Sequence, residues 1–239
     1  MSKRAIITTV AVVVGFIGIV FFGSNNNTPP DYSKYRISTI KELAEKHSLD
    51  GVNVDTILKA NEDTGNLPDK VIGDPSKAKV VLYEYADYAC SHCAEWSTTI
   101  DKMVDKSDGK LAVVFRNYLL PGFKNNVAAA SAATAAQIQG CWQEYKRLLF
   151  ANQGVWAGLS GDELENELIS CFETASGGKG DTEKFLADMR SEAVAKKVAF
   201  EHRLGNEIEL KGTPTFRIDG ENIAISDLKK TVEEKLSRV

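Results

Sequence analysis

The order of apolar and polar positions divides the chain into segments of different character. Residues 5–23 carry no charge, and only Thr8 and Thr9 are polar; this run is long enough to cross a bilayer as a helix. The polar, proline-containing SNNNTPPD that follows has nothing to bury and reads as a tether. Ile40, Leu43 and Leu49, then Val54, Ile57 and Leu58, recur at helical spacing either side of Asp50-Gly51, which predicts two short helices. KVVLYEYA over 79–86 and LAVVFRNYLL over 111–120 are rich in β-formers. Between them, 91–106 has the periodicity and length of a crossover helix, so the three form a parallel β-α-β unit. From 125 to about 205 the pattern is helical, beginning with the alanine-rich VAAASAATAAQIQG. Strand signals return at PTFRID and NIAI, with a turn expected at Gly220-Glu221. A terminal helix capped by Ser226 or Asp227 closes the chain. The expected order is β-α-β, a helical insert, then β-β-α.

Lys3 and Arg4 before the apolar run orient it with the N-terminus in the cytosol and everything after Gly23 outside. Phe21 and Phe22 stand where a signal-peptide cleavage site needs small residues, which favours an uncleaved anchor. The expected organisation is therefore a stub and anchor over 1–23, a linker with short helices over 24–70, and a folded domain over 71–239. A formal net charge of -4, with no basic tract interleaved with aromatics, argues against a general nucleic-acid binder. Export also changes how the four cysteines read, because thiols outside the cytosol tend to be oxidised.

Cys90 and Cys93 lie three positions apart where the first strand gives way to the helix. A thiolate there is stabilised by unpaired backbone N–H groups and the helix dipole, so Cys90 is the nucleophile by position. Cys93, one turn further in, is placed to close a disulfide and to resolve it. His92 between them offers a donor or a positive charge to the Cys90 sulfur, which would make the disulfide more oxidising. Three other readings compete. A zinc site needs two more ligands, but Cys141 and Cys171 are thirty apart, and His47 and His202 show no ligand spacing. Haem attachment needs a histidine after the second cysteine, where Ala94 stands. A structural bridge across so short a loop would constrain the unfolded chain little. His47 and His202 read as surface residues, and Trp96, Trp142 and Trp156 as core or rim aromatics.

From about residue 71 onward the sequence resembles the DsbA family of thioredoxin-fold thiol oxidoreductases, especially its membrane-tethered Gram-positive type. The residues that carry the resemblance are VIGDPSKAKVVLYEYADYACSHC, VFRNYLLPG, the alanine-rich segment through GCWQEYKRLLFANQGVW, and LKGTPTFRIDG. The fold it implies is α/β, thioredoxin-like, with an inserted helical subdomain. It makes Cys90 and Cys93 the redox pair and Pro214 a cis-proline packed against it. Thr213 would offer backbone groups to an extended client, and Glu84 would be the buried acid that moves the Cys93 proton. Ser91, where many members have proline, tunes the potential. Cys141 and Cys171 depart from the commoner family pattern and are expected to form a structural disulfide that pins two helices of the insert; a free or client-reactive pair is the alternative, as are two buried reduced cysteines.

The implied activity is disulfide formation in exported proteins, with reduced or unfolded chains as clients and a membrane partner or external oxidant restoring the enzyme. No cofactor or metal is implied. Two alternatives stay open: an isomerase or reductase of the same fold, suggested by Thr213 before the proline, and a tethered adaptor or chaperone whose cysteines are only structural.

Overall fold

Strand β2, Val80–Ala86, is buried along its whole length because both faces of the sheet that contains it are covered. It pairs in parallel with β3, Leu111–Asn117, and antiparallel with β4, Thr215–Ile218. β1, Lys70–Ile72, lies antiparallel to β3, and β5, Glu221–Ile223, antiparallel to β4, giving the order β1-β3-β2-β4-β5. This computed structural model describes residues 67–238. The anchor expected over 1–23 and the short helices expected over 40–65 lie outside the described residues. Among the described residues no helix is long and apolar enough to cross a membrane.

Helix α1, Ser91–Asp105, is the β2-to-β3 crossover, and it buries Cys93, Ser97, Ile100, Asp101 and Val104 on one stripe. Six helices then separate β3 from β4: α2 Asn126–Ile138, α3 Trp142–Ala151, α4 Gln153–Trp156, α5 Gly161–Ala175, α6 Thr182–Met189 and α7 Glu192–Glu207. They are the expected insert. The alanines of α2 leave room for neighbours on nearly every side, and the buried Ser131 and Thr134 hydroxyls donate to carbonyls one turn back. A 3-10 turn over Ile225–Asp227 leads into α8, Leu228–Ser237.

Side chains alternate cleanly across the sheet. Leu82, Ala86, Val113, Phe115 and Phe216 face a core shared with α1, α8 and the helical insert. Val81, Tyr83, Tyr85, Val114 and Tyr118 face a smaller core closed by Phe200 and Leu204 of α7. A cluster of buried ions docks α7: Lys70 donates to Glu201 at 2.9 Å, and Lys197 and Arg116 both hold Asp69. Burial of such ions is tolerated because each meets an opposite charge. The two cations hold the Asp69 carboxyl far below the ordinary carboxylate range, against its desolvation.

Four details depart from the sequence reading. β1 is an addition to the expected strands; three residues, one of them a lysine, carry too little apolar pattern to announce a strand. The second expected strand ends at Asn117, because the N–H groups of Leu119 and Leu120 turn to His202 and Asp87 instead of continuing the ladder. The β4–β5 turn is Asp219-Gly220 rather than Gly220-Glu221, with both residues at positive φ (52° and 82°). Asp227 is the N-cap position of α8 but its side chain caps nothing, since the preceding 3-10 turn leads the chain in.

Gly205 of α7 lets Tyr118 approach the helix: a Cβ there would stand 2.4 Å from Tyr118 Cδ2. The ring cannot yield easily, because its hydroxyl donates to Leu210 O and its face stacks on His202. Gly205→Ala is therefore expected to lower stability by about 1–3 kcal/mol despite the better helix propensity of alanine, read as a lower urea midpoint.

Candidate active site

Cys90 is the N-cap residue of α1, in extended conformation, and its N–H donates to Asp87 O at 3.0 Å. It retains 5% exposure, whereas Cys93 retains none. The first turn of α1 contains no acidic residue that would oppose a thiolate. The Cys90 thiol is lowered from 9.0 to about 5, first by the Cys93 thiol, then by Thr213 and the backbone amides of Cys93 and His92, all outweighing desolvation. Cys93 moves the other way, pushed far up by burial and by donating to Cys90. The two sulfurs are thus a ready thiolate and a buried thiol that holds its proton.

From the far end of the insert, the Thr213–Pro214 peptide bond, which is cis, brings Thr213 O to 3.4 Å from Cys90 Sγ. Thr213 Oγ1 is buried beside it and has no partner of normal hydrogen-bond geometry among the described residues. The His92 side chain does not do what its position suggested. Its ring is 72% exposed and Nδ1 meets Glu95 Oε2 at 3.1 Å, one turn along the helix. Its backbone N–H, not its imidazole, acts on Cys90. Ser91 is exposed at the first helical position.

Glu84 lies on the Leu82/Ala86 face of β2, paired in register with Phe115 on one side and Phe216 on the other, so it points into the same layer as Cys93. It is buried, and neither carboxyl oxygen has a hydrogen-bond partner among the described residues. Burial raises it from 4.5 to about 7, Lys146 opposing and Asp101 adding to the rise.

Hydrogen bonds that sequence reasoning did not foresee hold the site together. Asp87, buried after β2, accepts from Ala89 N, Leu120 N and Asn126 Nδ2 at 2.8–2.9 Å, tying the cysteine loop to the end of β3 and the start of α2. Gln153 Nε2 donates to Tyr88 O at 2.6 Å, and Trp142 Nε1 to Tyr88 Oη at 2.9 Å. His202 is half-buried rather than a free surface side chain: Leu119 N donates to its Nδ1 at 3.1 Å, and burial lowers its pKa. Asp87 and Tyr88 adjoin the cysteines, but their partners Leu120, Asn126, Trp142 and Gln153, and His202 with Leu119, are separated by tens of residues, so no local pattern could have found these pairings. Trp142 and Trp156 are core residues and Trp96 packs on Phe216, as their aromatic reading implied.

None of the four cysteines is joined in a disulfide. The structure therefore lacks the expected Cys141–Cys171 bridge. Cys141 Sγ donates to Ala136 O, Cys171 Sγ accepts from Asn152 Nδ2, and α3 is joined to α5 through Tyr145 Oη, which donates to Leu168 O. Burial raises the pKa of both thiols, so neither rivals Cys90 as a nucleophile. Among the described residues no group of histidine, cysteine, aspartate and glutamate is placed to hold a metal ion.

A thioredoxin family model matches residues 66–236, which includes every residue of this site. The chain belongs to the thioredoxin family. It is 25% identical over 203 residues to a probable disulfide bond formation protein D of Bacillus anthracis, covering 79% of this chain and 90% of that protein. A thioredoxin-like oxidoreductase from Silicibacter pomeroyi shares 25% identity with a TM-score of 0.57, over 75% of this chain and 99% of that one. The chain is also 32% identical over 155 residues, 64% of its length, to a Na(+)/H(+) antiporter NhaA 1 of a Mycobacterium species. It spans only 24% of that relative, so the transport in that name stays with that protein.

Proposed function

We propose that this thioredoxin-family protein is a thiol:disulfide oxidoreductase that introduces disulfides into exported proteins through Cys90 and Cys93. The observation that carries the reading is the placement of the two sulfurs, Cys90 at the N-cap of α1 facing Thr213 O and Cys93 fully buried behind it, which favours a thiolate at Cys90 and a thiol at Cys93. A low thiol pKa at the attacking cysteine stabilises the reduced enzyme, and a stable reduced form is what makes a disulfide a strong oxidant.

In turnover a client thiolate attacks Cys90 Sγ of the oxidised pair. The Cys90–Cys93 bond breaks, and Cys93 leaves with the electron pair and takes up a proton. Glu84, on the same face of the sheet and raised to about 7, is the acid that supplies it. A second client thiolate then attacks the client sulfur of the mixed disulfide, and Cys90 leaves as the thiolate. The client has lost two electrons and two protons, and the enzyme has gained the electrons. An external oxidant or a membrane partner returns it to the disulfide. A client joined to Cys90 lies along Thr213, whose carbonyl already faces that sulfur, so backbone pairing there would hold extended chains of many sequences. Ser91, exposed between the cysteines, is the residue we assign to tuning the potential. Catalysis takes place outside the cytosol, supported by the named role of the Bacillus relative in disulfide bond formation and by the apolar run before the domain.

Reductase and isomerase readings share the fold but need a less oxidising pair. The reduction potential of Cys90/Cys93 against glutathione is expected well above the thioredoxin value of about -270 mV, toward about -120 mV. Thiolate absorbance should give Cys90 a titration midpoint of about 5. A potential at the thioredoxin value overturns the oxidase assignment.

A further inference from the structure

Asp87 is a buried acid that the exchange steps leave unused. It stands three residues before Cys90, just outside a helix whose first turn holds no acid of its own. Its side chain is wholly buried, and its hydrogen-bond partners are all neutral donors. Ala89 N donates to Oδ1, and Leu120 N and Asn126 Nδ2 donate to Oδ2, at 2.8–2.9 Å. None of these bonds meets an acceptor, so the arrangement fits the carboxylate and gives a protonated acid nothing to donate to. No ion pair among the described residues includes Asp87. A buried anion without a cation is costly, and this one is held in place by the link after β3 and the first residue of α2.

Two bonds set the charge against the nucleophile. Cys90 N donates to Asp87 O at 3.0 Å, closing a turn, and the carboxylate takes the N–H of Ala89, the residue next to Cys90. Little water screens the pair, since Cys90 keeps 5% exposure and Asp87 none. Burial raises the Asp87 pKa, its three donors oppose the rise, and Cys90 adds to it, as two neighbouring acids must.

We propose that Asp87 is a positioning residue that acts through Cys90: its fixed negative charge opposes the thiolate of the reduced enzyme and holds the Cys90–Cys93 disulfide below the oxidising strength that the helix N-terminus alone would give it. The charge acts on one redox state. In the disulfide Cys90 is neutral and Asp87 has nothing to repel. When a client has passed two electrons to the pair and Cys90 has left as the thiolate, two anions share one turn. Asp87 thus weakens the disulfide as an oxidant and keeps the thiolate more nucleophilic, because nucleophilicity falls with thiol pKa. That balance suits a pair that must return to the disulfide after every turnover.

This inference rests on the reading of Cys90 as the exchange nucleophile, and its test separates the two. Carboxyl-carbon NMR of the full-length oxidised protein should show Asp87 ionised at pH 7; a protonated Asp87 overturns the proposal. In the neutral variants Asp87→Asn and Asp87→Ser, the Cys90 midpoint read from thiolate absorbance should fall by about one pH unit. The equilibrium constant against glutathione should shift about tenfold toward the reduced enzyme, a rise of roughly 30 mV in potential. Serine keeps a hydroxyl acceptor for Ala89 N, so it covers the case in which the amide disturbs the turn. Loosening of the turn would deprive the thiolate of its backbone donors and move both values the other way, so damage to the fold cannot imitate the result. Asp87→Glu keeps the charge and should stay within about twofold of the parental constant. Unchanged or lowered potentials in the neutral variants overturn the proposal, while the oxidase assignment stands or falls on the parental potential alone.

Discussion

Cys90→Ala protein is expected to bind reduced clients and to oxidise none of them. In the proposed mechanism every covalent step passes through the Cys90 sulfur, and Cys93, fully buried with a strongly raised pKa, cannot replace it as nucleophile. The rate of disulfide transfer to a reduced test protein should fall to that of the uncatalysed reaction, a loss of at least about 1000-fold. The fold should persist, since removing one sulfur at a helix N-cap that makes no side-chain cap bond costs little. Binding measured alongside separates the enzyme from an adaptor. On the proposed binding mode client affinity comes from the backbone around Thr213 and should survive the change, so loss of turnover with retained binding identifies a catalyst. Residual turnover in this variant would mean that the chemistry lies elsewhere.

Glu84→Gln is expected to stabilise the protein above pH 7 and to leave it nearly unchanged near pH 4. In the unfolded chain the carboxyl ionises at 4.5, whereas in the fold it keeps its proton to about 7. Between those values the unfolded state binds fewer protons, so the parent loses stability as pH rises from 4.5 to 7 and levels off beyond. Glutamine has no proton to lose and its stability lacks that decline. The difference should reach about 3 kcal/mol by pH 8, the free-energy equivalent of the shift. Urea unfolding at pH 4 and pH 8 measures it, best in the Cys90→Ala background. The lowered Cys90 pKa would otherwise add a slope of the opposite sign, its stability present above the unfolded thiol value and lost as pH falls toward 5. Parallel curves for the parent and the Glu84→Gln variant would show that the carboxyl is not held protonated. The same substitution should slow exchange, so the acid gives up stability in return for proton transfer.

The order of elements was legible because the features that set it are local. Runs of β-formers, the alanine-rich stretch and the helix beginning at Cys90 each follow from a few consecutive residues. The cysteine pair and Pro214 could be named for the same reason, since each sits in a short motif. The facing of Glu84 could not, because VVLYEYA is covered on both sides and a strand buried on both faces carries no alternation to read. Adjacency assigns His92 to Cys90, but a side chain on a helix meets the residue three or four positions along, and Glu95 is there. The pairings of Asp87 with Asn126 and of His202 with Leu119 emerge only once the chain is packed. A buried charge or polar group must find a partner, and in this fold those partners are brought together by the packing of the insert and α7 on the sheet. Residue order was enough to say where a thiolate could form, at a cysteine that opens a helix. Which groups surround that thiolate was settled by the packed layers, because low-dielectric burial and long-range pairing belong to no single segment.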